Sequence, residues 1–268
     1  MDVSAAVLSN VRLSDDYNVL TMAAPEIGEL AAPGQFVMVK SSRSPEPLLR
    51  RPFSIFEVVR DAAGRTVGIS ILNKRIGRTT GLLFETSEHD FVQCLGPLGK
   101  PFTPVSAPTR AWMVAGGVGL APFVTLAATL ASRGTRSTLF YGARTSAELF
   151  SLERFERLGV GLVLATEDGS RGTHARVTGP LQRELAGLTA AGEAMVYACG
   201  PEPMLAAVAH LATRYLQPSE VSVERVMGCG LGGCYSCVIP LHQGGAGARF
   251  VRSCITGPVF DGAQVAWG

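Results

Sequence analysis

Histidine is scarce in this sequence, and no stretch of it is strongly basic or continuously apolar. The four histidines are scattered along 268 residues, which argues against a histidine-rich metal site. A net charge of +2 does not indicate a nucleic-acid partner, which usually requires a clustered basic face. No run reaches the roughly 18 apolar residues of a membrane-spanning helix, so we expect no membrane partner either.

The N-terminus has no basic start followed by an apolar run, so the sequence predicts no secretory signal peptide and a cytoplasmic protein. The sequence also lacks a Ser/His/Asp or paired-carboxylate arrangement that would indicate acid–base catalysis. Since disulfides are rare in the cytoplasm, clustered thiols there are expected to hold a metal rather than each other.

The first 104 residues have the pattern of a β-structure. Short apolar runs separated by turn residues are QFVMVK (35–40), SIFEVVR (54–60), VGISILN (67–73) and HDFVQCL (89–95). Evenly spaced short strands of this kind predict an antiparallel barrel or sandwich. We therefore assign residues 1–104 to an N-terminal β-barrel.

Between residues 105 and 218, apolar strands alternate with helices. The predicted strands are 111–116, 137–143, 160–166 and 194–200, and the predicted helices are 120–134, 148–158, 179–188 and 202–215. Such alternation predicts a parallel sheet with helices on both faces. Residues 219–268 form a third, glycine-rich piece. The expected fold is therefore multidomain: a barrel, a central α/β domain and a small C-terminal domain.

Four cysteines in this last piece have the spacing of iron–sulfur ligands. Cys229, Cys234 and Cys237 follow the pattern C-x4-C-x2-C, and Cys254 comes after sixteen further residues. This is the plant-type [2Fe–2S] pattern, in which four thiolates hold two irons. Glycines around the cysteines let backbone amides approach the sulfides. We predict that these four cysteines are the cluster ligands.

A structural zinc ion also takes four cysteines and stays open as an alternative. Zinc ribbons usually use two C-x2-C pairs, whereas only Cys234 and Cys237 form one here. The other two cysteines, Cys94 and Cys199, stand apart from the cluster pattern. Cys94 falls on a predicted strand, where a free cysteine packs like a small hydrophobic residue.

Three shorter motifs are candidates for cofactor binding, each with a plainer structural alternative. RRPFSIF (50–56) places Arg51 where a guanidinium can pair with a diphosphate, although taken alone the motif is more often a surface arginine before a strand. AGGVGLAP (115–122) joins a strand to a helix, where glycine amides can approach a pyrophosphate or simply form a tight turn. ACGPEPML (198–205) lies at the carboxyl end of a strand, where open α/β sheets bind ligands, or is only a helix start with proline.

The order of these motifs resembles the ferredoxin–NADP reductase superfamily, in which a barrel carries FAD and an α/β domain carries NAD(P)H. Further segments resemble the electron-transfer subunit of NAD-dependent dihydroorotate dehydrogenase: RRPFSI, GPLGKPF, AGGVGLAP, YGAR, EDGSRGTHARVT, CGPEPM, ERVMGCGLGGCYSCVIP and SCITGPVF. That resemblance implies FAD, a [2Fe–2S] cluster and NAD as cofactors. It also implies an FMN-containing dihydroorotate dehydrogenase catalytic subunit as partner, in what we expect to be a heterotetramer.

The same resemblance implies a set of cofactor-binding residues. Those expected to hold FAD are Arg51, Pro52, Phe53, Ser54, Leu72, Asn73, Lys74, Gly77, Arg78, Thr79 and Thr80. Those expected to face the nicotinamide dinucleotide are Gly116, Gly117, Gly119, Cys199 and Gly200. The family often has G-x-G-T where this sequence has GRTT (77–80). Electrons would run from the partner's FMN through the cluster to FAD and then NAD⁺, in pyrimidine biosynthesis, with the cofactors carrying the chemistry.

Other functions stay open at this point. A related reductase subunit with the same cofactors would serve ferredoxin, sulfur or sulfite reduction, and a zinc-stabilised binding module would have no enzymatic activity. The sequence does not separate NAD from NADP, although Arg144 is a candidate to bind a 2′-phosphate. Glu224, just before the cysteines, either forms hydrogen bonds near the flavin or the loop, or is a solvated carboxylate.

Overall fold

The computed structural model describes residues 1–42, 46–243 and 247–268 of the protein. Its first part is a closed barrel of six strands in the order β1-β2-β5-β4-β3-β6. The strands are β1 (Asp2–Arg12), β2 (Tyr17–Met22), β3 (Phe36–Ser41), β4 (Arg51–Arg60), β5 (Thr66–Lys74) and β6 (Phe91–Leu98). All pairs are antiparallel, and β1 closes the barrel against β6. The prediction of an antiparallel barrel is confirmed.

The barrel interior is filled by aliphatic side chains that favour strands. Val37, Val39, Ile55, Ile69 and Ile71 are all essentially inaccessible to solvent, as expected for β-branched residues on an inward-facing pleat. Two short helices, α1 (Pro25–Leu30) and α2 (Arg78–Phe84), connect strands of the barrel. Cys94 is buried in β6, and its burial raises the pKa of the thiol to about 12. It is a core residue, as predicted.

The central part is a seven-stranded sheet in the order β10-β9-β8-β7-β11-β12-β15. The strands are β7 (Arg110–Gly116), β8 (Ser137–Ala143), β9 (Gly161–Thr166), β10 (Thr173–His174), β11 (Ala194–Cys199), β12 (Ser219–Ser222) and β15 (Val259–Asp261). The helices are α3 (Phe123–Ser132), α4 (Leu152–Arg157), α5 (Thr178–Ala186) and α6 (Glu202–Arg214). All neighbouring strands are parallel except β15, which runs antiparallel to β12.

Both faces of this sheet are buried, which explains the continuous apolar character of β7. Met113 contributes to the core under α3 and α4, whereas Trp112 and Val114 contribute to the core under α5 and α6. Two helix boundaries differ from the predictions. A 3-10 turn (Gly117–Leu120) precedes α3, and the helix predicted at 148–158 is divided into a 3-10 turn (Ser146–Glu148) and α4.

The last part of the chain contributes strands to two different sheets. Strands β12 and β15 complete the central sheet, while β13 (Val238–Gln243) and β14 (Gly247–Arg252) form a separate hairpin followed by α7 (Ser253–Thr256). The boundaries at residues 104 and 218 remain predictions. Among the described residues, no helix has the length and apolar character needed to cross a lipid bilayer.

An aromatic junction fixes the barrel to the central sheet. Phe102 stacks on Phe123, with ring centroids 5.8 Å apart, and meets Tyr197 edge-on at 5.4 Å. The Tyr197 hydroxyl donates to the carbonyl of Thr103 (2.7 Å) and accepts from the N–H of Val105 (3.1 Å). The connection between the two parts is therefore anchored by packing and by hydrogen bonds.

Candidate functional site

The four predicted ligand cysteines lie in two pairs. Cys229 and Cys234 are within hydrogen-bonding reach of each other in residues 227–237, which we call the cysteine loop. Cys237 ends that loop and contacts Cys254 of α7. The Ser253 N–H donates to the Cys237 carbonyl (2.9 Å), which ties α7 to the loop. All four thiols are free of disulfides.

The paired arrangement fits a two-iron cluster. One zinc ion would need four thiolates around one point, whereas a [2Fe–2S] cluster spreads four thiolates over two irons. The donor set and its pairing therefore favour the cluster over zinc.

Hydrogen-bond donors surround the loop thiols. The Leu231 N–H donates to Cys229 Sγ (3.3 Å), and Ser236 Oγ lies 3.1 Å from Cys234 Sγ. The Ser236 hydrogen bonds, with a smaller contribution from Cys229, lower the pKa of Cys234 to about 6. Burial raises the pKa of Cys254 to about 11. Sequence reasoning missed Ser236, which stands between the last two cysteines of the C-x2-C motif.

The cysteine loop packs directly on the barrel. Cys237 and Cys254 share a buried cluster with Met227 of the loop and with Phe36 and Met38 of β3. Gly230 has φ of +72°, and a Cβ there would lie 2.6 Å from Met38 Cγ, so the contact requires glycine. The candidate cluster site thus lies on β3.

Strand β3 is also the neighbour of the predicted flavin motif. Its residues Phe36 and Met38 pair with Ser54 and Pro52 of β4. Paired strands lie about 4.8 Å apart. The cysteine loop therefore lies against the strand that is the direct neighbour of residues 51–54.

Arg51, the first residue of β4, is available to bind an anion. Among the described residues its guanidinium has no carboxylate partner, and it hydrogen-bonds the Arg50 carbonyl (3.3 Å). The adjacent Arg50 instead pairs with Asp2 at 2.7 Å. A half-buried, unpaired guanidinium at the start of a strand fits the diphosphate of FAD.

The other predicted flavin residues lie at the end of β5 and the start of α2. Leu72 and Asn73 are buried, and Asn73 Nδ2 donates to the Thr80 carbonyl (3.0 Å), which joins β5 to α2. Thr80 Oγ1 accepts from the N–H of Gly77 (2.9 Å) and caps α2. Arg78 is exposed and pairs with Glu46 at 3.0 Å. Their contacts with FAD remain predictions.

The predicted dinucleotide residues come together at the carboxyl ends of β7 and β11. A Cβ on Gly119 would lie 2.1 Å from the Cys199 carbonyl oxygen, and one on Gly200 would lie 3.1 Å from the Gly116 nitrogen. Two turns that are distant in sequence therefore touch through their glycines. At Gly117 (φ +55°), nothing lies within 4 Å of the Cβ position, which leaves space for a phosphate against the backbone.

Cys199, the last residue of β11, carries the thiol at this edge of the sheet. Burial, together with the smaller effect of the Glu224 charge, raises the pKa of its thiol to about 12, and a hydrogen bond with Ser222 acts in the opposite direction. Ser222 is the parallel-register partner of Cys199 on β12. Glu224 is exposed yet near enough to act on Cys199. Sequence reasoning missed Ser222 because its strand was not predicted.

A separate groove of about 580 Å³ lies between the barrel and the helices α3 and α4. Its lining includes Glu57, Arg60 and Arg154 and contains none of the predicted cofactor-binding residues. The Arg154 guanidinium pairs with Glu57 and covers the Phe56 ring at 5.4 Å. This groove is therefore not the candidate redox site.

Comparison with known proteins identifies the family of this chain. Residues 224–266 match the family model "Iron-sulfur cluster binding domain of dihydroorotate dehydrogenase B", and residues 113–210 match "Oxidoreductase NAD-binding domain". The electron transfer subunit of dihydroorotate dehydrogenase B (NAD(+)) from Desulforamulus reducens is 34% identical, over 98% of this chain and 97% of its own. The chain belongs to the family of dihydroorotate dehydrogenase B electron transfer subunits.

A second member of that family, from Bacillus caldolyticus, is 38% identical over 92% of this chain and 91% of its own. Among solved structures, a chain of the NADH-dependent reduced ferredoxin-NADP oxidoreductase covers 99% of this chain and 90% of its own, with a TM-score of 0.84 at 24% identity. A ferredoxin NADP+ reductase from Neisseria gonorrhoeae covers 80% and 91%, with a TM-score of 0.65 at 16% identity. The structural matches establish the reductase fold. The family models identify an oxidoreductase with iron–sulfur and NAD-binding domains.

Proposed function

We propose that this chain carries electrons from the FMN of a dihydroorotate dehydrogenase catalytic subunit, through a [2Fe–2S] cluster and FAD, to NAD⁺. Family membership over nearly the whole chain supports this role in pyrimidine biosynthesis. When bound, FAD supplies two-electron exchange with a nicotinamide and one-electron exchange with a cluster. The polypeptide supplies binding, placement and electrostatics.

One observation carries the proposal: the cysteine loop rests on β3, and β3 pairs with the predicted flavin motif. Phe36 and Met38 contact the loop on one side and lie opposite Ser54 and Pro52 on the other. The residues proposed to hold the two redox groups are thus adjacent in space although about 180 residues apart in sequence. That adjacency is what electron transfer between bound groups requires.

The residues act through binding and orientation. Cys229, Cys234, Cys237 and Cys254 would hold the cluster as thiolates, and the Leu231 amide would donate to one of those sulfurs. Arg51 would pair with the FAD diphosphate, with Pro52, Phe53 and Ser54 continuing the site along β4. The turns at Gly117 and Gly200 would receive the dinucleotide at the carboxyl edge of the sheet.

The surface around the cysteine loop favours a docked protein. Leu231, Tyr235 and Ile255 are large apolar side chains that are 60%, 64% and 49% exposed. Exposed apolar groups concentrated at one place are typical of interaction surfaces. We assign this surface to the FMN-bearing catalytic subunit, in a heterotetramer. A cytoplasmic location, which six free cysteines favour, completes the proposal.

The test is to co-express the chain with a dihydroorotate dehydrogenase catalytic subunit and purify the complex anaerobically. We expect FAD, iron and acid-labile sulfide in the complex, and NAD⁺ reduction that matches orotate formation. A complex that forms orotate with artificial acceptors but never reduces NAD⁺ would contradict the proposal. Ferredoxin reduction by NADH, in the absence of any such complex, would favour the alternative of another reductase subunit.

A further inference from the structure

An ion pair at the carboxyl end of β8 bears on the choice between NAD and NADP. In a sheet with this strand order, the adenosine ribose is read beyond the strand next to the one that carries the glycine turn. That strand is β8, which pairs with β7, and Arg144 follows it directly. An acidic residue at such a position favours a free ribose 2′-hydroxyl, whereas an unpaired arginine accommodates a 2′-phosphate.

Arg144 is folded onto Glu148. Its Nε donates to Glu148 Oε2 at 3.2 Å, and its Nη2 donates to Glu148 Oε1. The backbone N–H of Arg144 also donates to Oε2, at 3.4 Å. The guanidinium is thus held at both carboxylate oxygens in a fork, which is the strongest geometry for this pair.

Glu148 is the fixed member of the pair. Its side chain is 18% exposed, against 72% for Arg144. The hydroxyl of buried Tyr141 donates to the Glu148 carbonyl (3.1 Å) and anchors its backbone. The Arg144 guanidinium holds the pKa of Glu148 below its usual range, so the carboxylate is ionised near neutral pH. A rigid anion therefore occupies the donors with which Arg144 could receive a phosphate.

Two carboxylates in the loop after β9 also oppose a dianion near Arg144. The Glu167 carboxylate acts on Arg144, and Asp168 follows it in the loop after β9. Asp168 is ionised, since hydrogen bonds from Ser170 lower its pKa. Arg171 is the exposed cation of that loop and must be tested separately. On the other side of the pair, the Lys74 charge acts on Glu148 and helps to keep that carboxylate ionised.

We propose that Glu148, by holding Arg144 in a two-point ion pair, makes the dinucleotide site select NAD(H) over NADP(H). The inference rests on the NAD site of the proposed function and names the residue that sets its specificity. A 2′-phosphate would have to displace the carboxylate from Arg144 and then lie beside it. A 2′-hydroxyl requires neither, so Glu148 acts by excluding the phosphate rather than by attracting the ribose.

The test uses Glu148→Gln, which keeps the side-chain volume and removes the charge. Binding of ADP and of 2′,5′-ADP to the FAD-loaded chain is measured by calorimetry, and dye reduction is measured with NADH and NADPH. We expect 2′,5′-ADP to bind about tenfold more tightly than to the parent, with ADP binding changed less than about twofold. The ratio of dye reduction with NADPH to dye reduction with NADH should rise by a similar factor. Glu153→Gln, an exposed carboxylate on α4, is the matched control and should change neither ratio.

Two further variants identify the phosphate partner. Adding Arg144→Ala to Glu148→Gln should abolish the gain, while adding Arg171→Ala should preserve most of it. Arg144→Ala alone should not reduce the preference for ADP over 2′,5′-ADP, because Glu148 already occupies that guanidinium and its carboxylate remains to repel the phosphate. This last result does not depend on the folding of any Glu148 variant.

Specific outcomes overturn the inference. If Glu148→Gln binds ADP normally and 2′,5′-ADP no better than the parent, Glu148 does not set the specificity. If the tighter binding of 2′,5′-ADP persists when Arg144 is also removed but is lost when Arg171 is removed, the phosphate binds Arg171. That result likewise overturns the proposal. Failure of the parent chain to bind ADP or NADH at all would instead contradict the proposed function.

Discussion

Met38 of β3 and Gly230 of the cysteine loop are in direct contact, and the space between them admits no Cβ. A methyl group on Gly230 would lie 2.6 Å from Met38 Cγ and 3.2 Å from Leu98 Cδ1 of β6. The loop that carries three of the four cysteines is therefore seated on the barrel through a backbone that must be glycine. That seating is what brings the candidate cluster site beside the flavin motif.

Gly230→Ala should loosen this seating. The substitution forces alanine into φ of +72° and into Met38, which we expect to cost about 1–3 kcal/mol. Iron and acid-labile sulfide per chain should fall relative to the parent. Gly233→Ala is the matched control, since nothing lies within 4 Å of its Cβ position and its φ is not positive. Equal metal content in both variants would show that the contact with Met38 does not support the cluster.

Cys234→Ser should separate the two halves of the electron path. We expect the variant to lose the cluster, to keep NADH-to-dye activity, and to lose NAD⁺ reduction by dihydroorotate in the complex. The reason is that Cys234 belongs to the ligand pattern, whereas the predicted flavin and dinucleotide residues lie elsewhere. Iron analysis and the two assays check this. As a control, Cys94→Ala, within the barrel core, should retain iron. Loss of both activities together in Cys234→Ser would refute the assigned order of electron transfer.

Arg51→Ala should weaken FAD retention. A charge-assisted contact with a diphosphate contributes about 1.5–3 kcal/mol, so the dissociation constant should rise by roughly tenfold or more. The measurement is the flavin content after gel filtration, together with a titration of the apoprotein. Arg50→Ala is the natural control, because Arg50 is already paired with Asp2. If the two variants keep FAD equally well, Arg51 does not bind the diphosphate.

Tyr197→Phe should weaken the junction between the barrel and the sheet. It removes the hydroxyl that bonds both Thr103 and Val105 and leaves those backbone groups unsatisfied, at a cost of about 1–3 kcal/mol. In a chain of this size, the melting temperature should fall by about 2–4 °C for each kcal/mol. Tyr215→Phe, at the half-exposed end of α6, should melt with the parent. An unshifted transition in Tyr197→Phe would show that the junction is held by apolar packing alone.

Local pattern predicted the elements more reliably than their boundaries. The run 137–143 is β8 without change, because a short apolar run and the turns that flank it are encoded by neighbouring residues. The helix expected at 148–158 is interrupted, since Ser151 adopts a left-handed conformation just before α4. Strands β12 and β15 were not predicted because each is short and is stabilised by the sheet edge it completes.

Much of the chemistry was predictable from the amino-acid sequence: the spacing of Cys229, Cys234, Cys237 and Cys254 favours a [2Fe–2S] cluster over zinc, and the order of motifs resembles the reductase architecture. Three features became visible only in the folded chain: which cysteines pair, the position of their loop on β3, and the ion pair between Glu148 and Arg144. The physical reason is the range of the interactions. Spacing and periodicity are properties of adjacent residues, whereas the loop–barrel contact joins segments far apart in the chain and depends on how whole elements pack.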